Sequence, residues 1–393
     1  MKKIKIIIFL LFSPVSPLNI RFITQPNREI AYSVTQPSQS SGEVASSTPL
    51  LILNGFGVGQ FHQERIVNSL SKSQSHSFSK IYTLDYLGQG DSWPLGVPPT
   101  TTLDSIGTSE SESDLSYSVE TWLEQVHEFI TSTINSDADP DRKVVIAGNS
   151  LGGYIATILV ERYPSLFSTL ILFNATPIWG GVLAKSPLSS WDGVLPSPSK
   201  FERWIGKTLY DQIRNPSNVN TLMSECYSSP VAHESDGICA KIINAASHNG
   251  GHAAFSSILF SPGAVEGNRF YDNLLSSPHH RHVRVLGIYG RDDPWIDGRF
   301  SRRLFDSFKS SNLAEVRLVE LSNVAHCPNH EAATACATLI SRFMRATPTL
   351  LEQQNEIFID EAWGGKTTAN EITDVKLPTL QKLFVEFLQR VAS

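Results

Sequence analysis

The chain has 393 residues, 41% of them hydrophobic, enough for a large buried core and long for one domain without insertions. A formal net charge of -6 without any basic cluster excludes the electrostatic footprint of a nucleic-acid binder. Four cysteines (Cys226, Cys239, Cys327, Cys336) have neither CxxC nor Cys/His ligand spacing, which argues against a zinc site or disulfide scaffold. Free buried thiols are expected, with a Cys226–Cys239 pair reserved for an oxidising compartment.

Met1-Lys2-Lys3-Ile4-Lys5, an apolar run over 6–12 and the breaker Ser13-Pro14-Val15-Ser16-Pro17 have the shape of a targeting signal. An apolar N-terminal strand is the alternative. The run is too short to span a bilayer, and no other stretch reaches that length, so a soluble or membrane-peripheral protein is expected. Two β-like runs, 21–24 and 30–34, flank a Pro-Asn turn and predict a hairpin at a sheet edge, followed by a Ser/Gln/Pro-rich connection over 36–48.

Pro49-Leu50-Leu51-Ile52-Leu53 is a continuous apolar run, the mark of a strand buried on both faces. It empties into Asn54-Gly55-Phe56-Gly57-Val58-Gly59, where the backbone must turn sharply or approach something closely. The glycine spacing does not fit a dinucleotide fingerprint. A helix over 61–70, a strand over 80–85 and a Gly-rich turn over 86–94 follow. Asp85 and Asp91 precede the nucleophile described next and are read as structural; Ser92 is read as a turn residue near the site. Residues 95–115 form a polar loop, and Trp122, Val126, Phe129 and Ile130 mark an amphipathic helix.

Val144-Val145-Ile146-Ala147-Gly148-Asn149-Ser150-Leu151-Gly152-Gly153-Tyr154 joins a strand to a helix through Gly-x-Ser-x-Gly. In that setting the pattern is a nucleophile elbow, a turn so tight that small residues must flank Ser150. Such a site draws one oxyanion donor from the first strand-to-helix loop and one from the residue after the serine, here Phe56 and Leu151. Another buried strand covers 168–173, and the βαβαβ alternation predicts a mostly parallel sheet with helices on both faces.

Between about 177 and 278 the alternation stops. Trp179, Trp191, Phe201, Trp204, Tyr210, Phe255 and Phe260 lie among turns and helices, and read as a cap over an apolar pocket that also packs on the core. His233, His248, His252 and His279-His280-Arg281-His282 have no metal-triad spacing. The sheet resumes at 283–289 and ends in Gly290-Arg291-Asp292-Asp293-Pro294-Trp295. Asp292 and Asp293 compete as the acid; Pro294 fixes the turn and favours Asp293. After a helix over 299–308 and a strand over 314–321, His326 sits in a Pro-stiffened loop and completes the order Ser, Asp, His, with His330 in the next helix as fallback. Residues 356–361 and 367–372 can pair as a hairpin around Trp-Gly-Gly. Pro378 opens a last helix whose apolar stripe either docks on the body or adsorbs to a membrane.

These motifs resemble the α/β-hydrolases and, more narrowly, the pheophytinases and related chlorophyll dephytylases. The likeness is carried by Asn54-Gly55-Phe56-Gly57-Val58-Gly59-Gln60-Phe61-His62, Leu84-Asp85-Tyr86-Leu87-Gly88-Gln89-Gly90, the Ser150 elbow, Asn174-Ala175-Thr176-Pro177-Ile178-Trp179-Gly180, Gly290-Arg291-Asp292-Asp293-Pro294-Trp295 and His326-Cys327-Pro328. It implies hydrolysis of the phytyl ester of pheophytin or chlorophyll in a plastid, with Ser150 as nucleophile, His326 as base and Asp293 as its orienter. Gly55, Trp179 and Trp295 are the candidate substrate contacts. The sequence departs from the family at Asn54, Ala325 and Asn329-His330-Glu331. No cofactor and no nucleic-acid partner are implied; peripheral thylakoid contact is. The N-terminus looks more secretory than transit-like, so entry through an endoplasmic-reticulum signal, secretion and an endomembrane location all stay open. A general carboxylesterase for another bulky lipid ester, or a low-turnover binding protein on the same fold, are the alternative functions.

The expected architecture is therefore an α/β-hydrolase fold with an inserted cap. The signal occupies 1–20, the core 21–177 and 279–347, the cap 178–278, and a C-terminal extension 348–393.

Overall fold

The structure is a computed structural model that describes residues 20–25, 28–37, 48–72, 78–94, 118–135, 142–176, 200–247, 251–261, 264, 266 and 274–373. The expected N-terminal signal up to residue 19, the expected polar loop over 95–115, the start of the expected cap with Trp179, and the expected last helix from Pro378 lie outside the described residues.

In chain order the strands are β1 (Ile20–Gln25), β2 (Arg28–Thr35), β3 (Leu50–Leu53), β4 (Ile81–Leu84), β5 (Trp93–Pro94), β6 (Val144–Asn149), β7 (Phe167–Phe173), β8 (Arg284–Gly290), β9 (Glu315–Ser322), β10 (Glu356–Ile359) and β11 (Lys366–Glu371). The helices are α1 (Glu64–Lys72), α2 (Val119–Phe129), α3 (Leu151–Arg162), α4 (Lys200–Ile213), α5 (Pro216–Cys226), α6 (Pro230–Glu234), α7 (Ile238–Ala245), α8 (Gly251–Phe260), α9 (Gly298–Lys309), α10 (Pro328–Glu331) and α11 (Ala333–Met344). One sheet runs β1-β2-β4-β3-β6-β7-β8-β9-β11-β10, with β5 beside β2. From β4 to β9 the pairing is parallel, and an antiparallel hairpin closes each edge.

Successive side chains on a strand point to opposite faces, so a strand apolar at every position feeds two cores. Leu51, Leu53, Ile146 and Leu170 pack with Trp122 and Val126 of α2, Ile155 of α3 and Phe308 of α9. Their neighbours Leu50, Ile52, Val145 and Ile171 pack with Ile66 and Val67 of α1 and Leu339 and Phe343 of α11. Above the sheet, α4 packs on α8 and α5 on α7, and α6 touches α10 of the core.

The elements follow the expectations with local differences. The helix after the glycine loop opens with a 3-10 turn, Gln60–Gln63, whose first amide donates to the Asp85 carboxylate at 2.6 Å. The C-terminal hairpin is part of the core sheet, because β11 pairs along β9 and buries Phe358 and Ala369. Cys226, Cys327 and Cys336 are buried free thiols, and Cys239 is only half-buried. Asp85 is structural: it also receives the Asp91 amide at 3.0 Å, while Ser92 bridges its carbonyl to the Ala31 amide. Burial lifts its pKa to about 7 against those donors.

Candidate active site

β6 delivers the chain into α3 through Ser150, which adopts φ 53° and ψ -122°. A non-glycine residue there is strained by about 1–3 kcal/mol and must be held by its surroundings. The Ser150 amide donates to the Phe173 carbonyl at 3.0 Å, and the Ser150 carbonyl receives the Gly153, Tyr154 and Thr176 amides. A Cβ on Gly148 would fall 2.3 Å from the Gly152 backbone, and one on Gly152 would fall 2.6 Å from the Leu53 and Asn54 carbonyls. The two glycines are what lets helix, strand and neighbouring loop close on one another.

That neighbouring loop is the one after β3. A Cβ on Gly55 would lie 3.3 Å from the Ser150 Cβ, so the Gly55–Phe56 backbone crosses directly beside the elbow. The Asn54 side-chain Nδ2 pins the loop by donating to the Val58 carbonyl at 2.7 Å. Leu151 is the first residue of α3, where an N–H has no acceptor within the helix and the helix dipole favours negative charge. Both predicted donor residues thus flank Ser150. The serine hydroxyl itself lies 3.2 Å from the Thr176 hydroxyl.

β8 and β9 supply the remaining groups. Asp293, in the turn after β8, accepts His326 Nδ1 on Oδ2 at 2.8 Å, and the Trp295 and Ile296 amides on Oδ1 at 2.8 and 3.0 Å. Asp292 faces solvent beside Arg291. Of the two rival aspartates, Asp293 is the one that reaches the imidazole. The elbow holds His326 from the other side, because Asn149 Nδ2 donates to the His326 carbonyl at 3.0 Å. Trp295, 42% exposed, lies over the His326 ring at 4.9 Å. Phe56 stacks on Phe255 of α8 at 5.2 Å, and Phe255 meets Tyr210 of α4 at 5.3 Å. An aromatic wall therefore runs from the loop beside Ser150 to α8 and α4. Trp179 lies outside the described residues.

His330 belongs to a separate buried cluster. Its Nδ1 meets the Tyr227 hydroxyl at 3.0 Å, which also meets His62 Nε2 at 2.8 Å, and its Nε2 meets Asp236 at 2.9 Å. Burial and the nearby Arg65 guanidinium lower the His330 pKa to about 4. Burial works against the Asp236 carboxylate, but His330, Arg65 and Lys241 outweigh it and hold its pKa below the usual range.

Asn174, Thr176 and Asn149 escaped the sequence reading. Asn174 donates to Asp293 Oδ2 at 2.6 Å and accepts the Gly290 amide at 2.8 Å. Asn174 and Thr176 lie in one of the segments that carry the family resemblance, and that is the available signal for their importance. Asn149 is an unspecified position of its motif and offered none.

Residues 50–339 match the alpha/beta hydrolase family. The chain is 28% identical to the chloroplastic pheophytinase of Arabidopsis thaliana over 302 residues, 72% of this chain and 58% of that protein. It is 31% identical to the (lyso)-N-acylphosphatidylethanolamine lipase of Bos taurus over 160 residues, 41% of this chain and 37% of that one. The matches therefore span less than two thirds of either relative's length. Among solved structures, a serine hydrolase from Cycloclasticus zankles shares the fold with a TM-score of 0.54 and 16% identity, over 84% of this chain and 99% of the other. With a family match that runs from β3 into α11 and takes in the elbow, the Asp293 turn and the His326 loop, the chain belongs to the alpha/beta hydrolase family.

Proposed function

We propose that the protein is a serine esterase that cleaves the phytyl ester of pheophytin or a related chlorophyll pigment, releasing phytol and the free tetrapyrrole acid. The observation that carries the chemistry is the 2.8 Å bond from His326 Nδ1 to Asp293, beside an elbow whose Asn149 grips the His326 carbonyl. With Nδ1 committed to the carboxylate, Nε2 of a neutral imidazole is the free base. It takes the Ser150 proton as Oγ attacks the ester carbonyl. The Phe56 and Leu151 amides receive the developing oxyanion, and one such donor is worth about 2.7–4 kcal/mol of barrier. His326 returns the proton to the departing phytol oxygen; water then repeats the attack and frees the acid from Ser150.

The pigment assignment is supported by the similarity to pheophytinase and by the aromatic wall from Phe56 into the cap. Gly55, Trp179 and Trp295 are proposed to line the substrate. No cofactor enters the scheme, and the magnesium of chlorophyll belongs to the substrate. The chloroplastic relative supports a plastid location. Among the described residues no helix is long and apolar enough to cross a membrane. A second reading, hydrolysis of another bulky lipid ester, is favoured by the 31% identity to a lipase across 160 residues.

Purified wild type and Ser150→Ala incubated with pheophytin a, chlorophyll a and p-nitrophenyl butyrate separate these readings, with pigments resolved by chromatography. Pheophorbide formed by the wild type alone is the expected result. Hydrolysis of the short ester only moves the assignment to a general esterase, and tight pigment binding without turnover makes the protein a binder.

A further inference from the structure

Residues 226–229 of the cap run along the loop that carries His326. The His326 amide donates to the Cys226 carbonyl at 3.0 Å, and the Ser228 hydroxyl bonds the Asn323 carbonyl at 2.6 Å. Between the two segments lies Glu331, 1% exposed. Its Oε1 accepts the Ser228 amide at 2.8 Å and the Ser229 amide at 3.2 Å, and lies 2.6 Å from the Ser228 hydroxyl, whose single proton it shares with the Asn323 carbonyl. Its Oε2 accepts the Ala325 amide at 2.8 Å. None of these donors is a cation, so the carboxylate does not neutralise a charge; it ties two backbone segments together. One end of the tie is the amide of Ala325, the residue before His326.

The His326 backbone is thus held by its carbonyl from the elbow, by its own amide from the cap, and by the preceding amide from Glu331. Only the first of these contacts comes from the sheet. We propose that Glu331 is a positioning residue through which the cap sets the placement of His326, so that the cap gates the base as well as covering the substrate. The inference rests on His326 being the base. Glutamine at 331 keeps the size of the side chain but turns an amide donor toward donors on one side or the other, which loosens the tie without opening a cavity.

The test uses the full chain as wild type, Glu331→Gln, Ser228→Ala and the double variant. A fluorophosphonate probe reads the base, because Ser150 Oγ displaces fluoride from phosphorus only as fast as its proton is taken. Labelling rate per folded molecule, kcat and KM for p-nitrophenyl butyrate, and melting temperature are measured together. Expected is a 10- to 100-fold slower labelling of Glu331→Gln with a parallel fall in kcat, on the order of what a small misplacement of a catalytic group causes, and KM little changed. Ser228→Ala gives a smaller fall, and the double variant is no slower than Glu331→Gln, because both act on one tie. Wild-type labelling rates with only a lower melting temperature overturn the proposal, as do additive effects of the two changes. If Glu331→Gln does not fold, Ser228→Ala carries the same comparison, and a wild-type labelling rate in it overturns the proposal. A wild type that is not labelled at Ser150 overturns the nucleophile and base assignment instead.

Discussion

Asp293 is 6% exposed and gathers His326, Asn174 and two backbone amides, whereas the side chain of the adjacent Asp292 is exposed and pairs with Arg291. Identical side chains one residue apart should therefore differ sharply in effect. Asp293→Asn is expected to lower kcat on the order of 10⁴-fold by favouring the wrong imidazole tautomer. Asp292→Asn should leave kcat unchanged and move stability by less than about 0.5 kcal/mol. Ester hydrolysis rates and urea midpoints decide, and a large kcat loss in Asp292→Asn refutes the assignment. Asn174→Ala removes one of the two donors to Asp293 Oδ2 and should cost about 10-fold in kcat with KM preserved. Ser150, Asp293 and His326 were legible because chain order and strand-end position mark them. Asn174 and Glu331 were not, since their partners lie as far as 119 and 103 residues away in sequence, where no periodicity reaches.

Among the elements, the buried strands were read most directly. β3, β6 and β7 are apolar on both faces, and a parallel strand between two helical layers leaves little else they could be. The β10 hairpin was harder to place. Its burial alternates, with Phe358 inside and Ile357 and Ile359 outside, so it reads as a ribbon whose attachment the sequence does not encode. The seam between α10 and residues 227–236 has a signature of its own in pH. In the unfolded chain a histidine takes its proton near 6.5, but folded His330 takes it only at about 4, so acid favours the unfolded chain within that window. Asp85 has the opposite sign: its folded pKa of about 7 lies above the usual carboxylate value, so its contribution shrinks as pH rises toward 7. Urea unfolding of wild type beside His330→Gln isolates the first effect. The stability advantage of the wild type should shrink as pH falls from about 6.5 to about 4, and an advantage constant over that range contradicts the account.

For the whole molecule, the sheet is closed at both edges by hairpins from the two ends of the described chain. Ending the chain at Thr347 would expose the edge of β9 and uncover Phe358's place in the α1–α11 core. Open, apolar edges pair with other chains. The truncated protein is predicted to aggregate, visible as high-mass species in size-exclusion chromatography with light scattering; a stable soluble form of unchanged activity would show the hairpin to be dispensable.

Asn149 has a consequence that extends beyond this chain's stability. Gly-x-Ser-x-Gly leaves its first x unspecified, yet this side chain bonds the Phe173 carbonyl 24 residues away and the His326 carbonyl 177 residues away. Position 149 and the shape of the His326 loop are therefore expected to drift together among descendants of this sequence, each substitution tolerated only alongside its compensation. Grafting the five-residue elbow alone into another scaffold would carry a buried amide with nothing to hold.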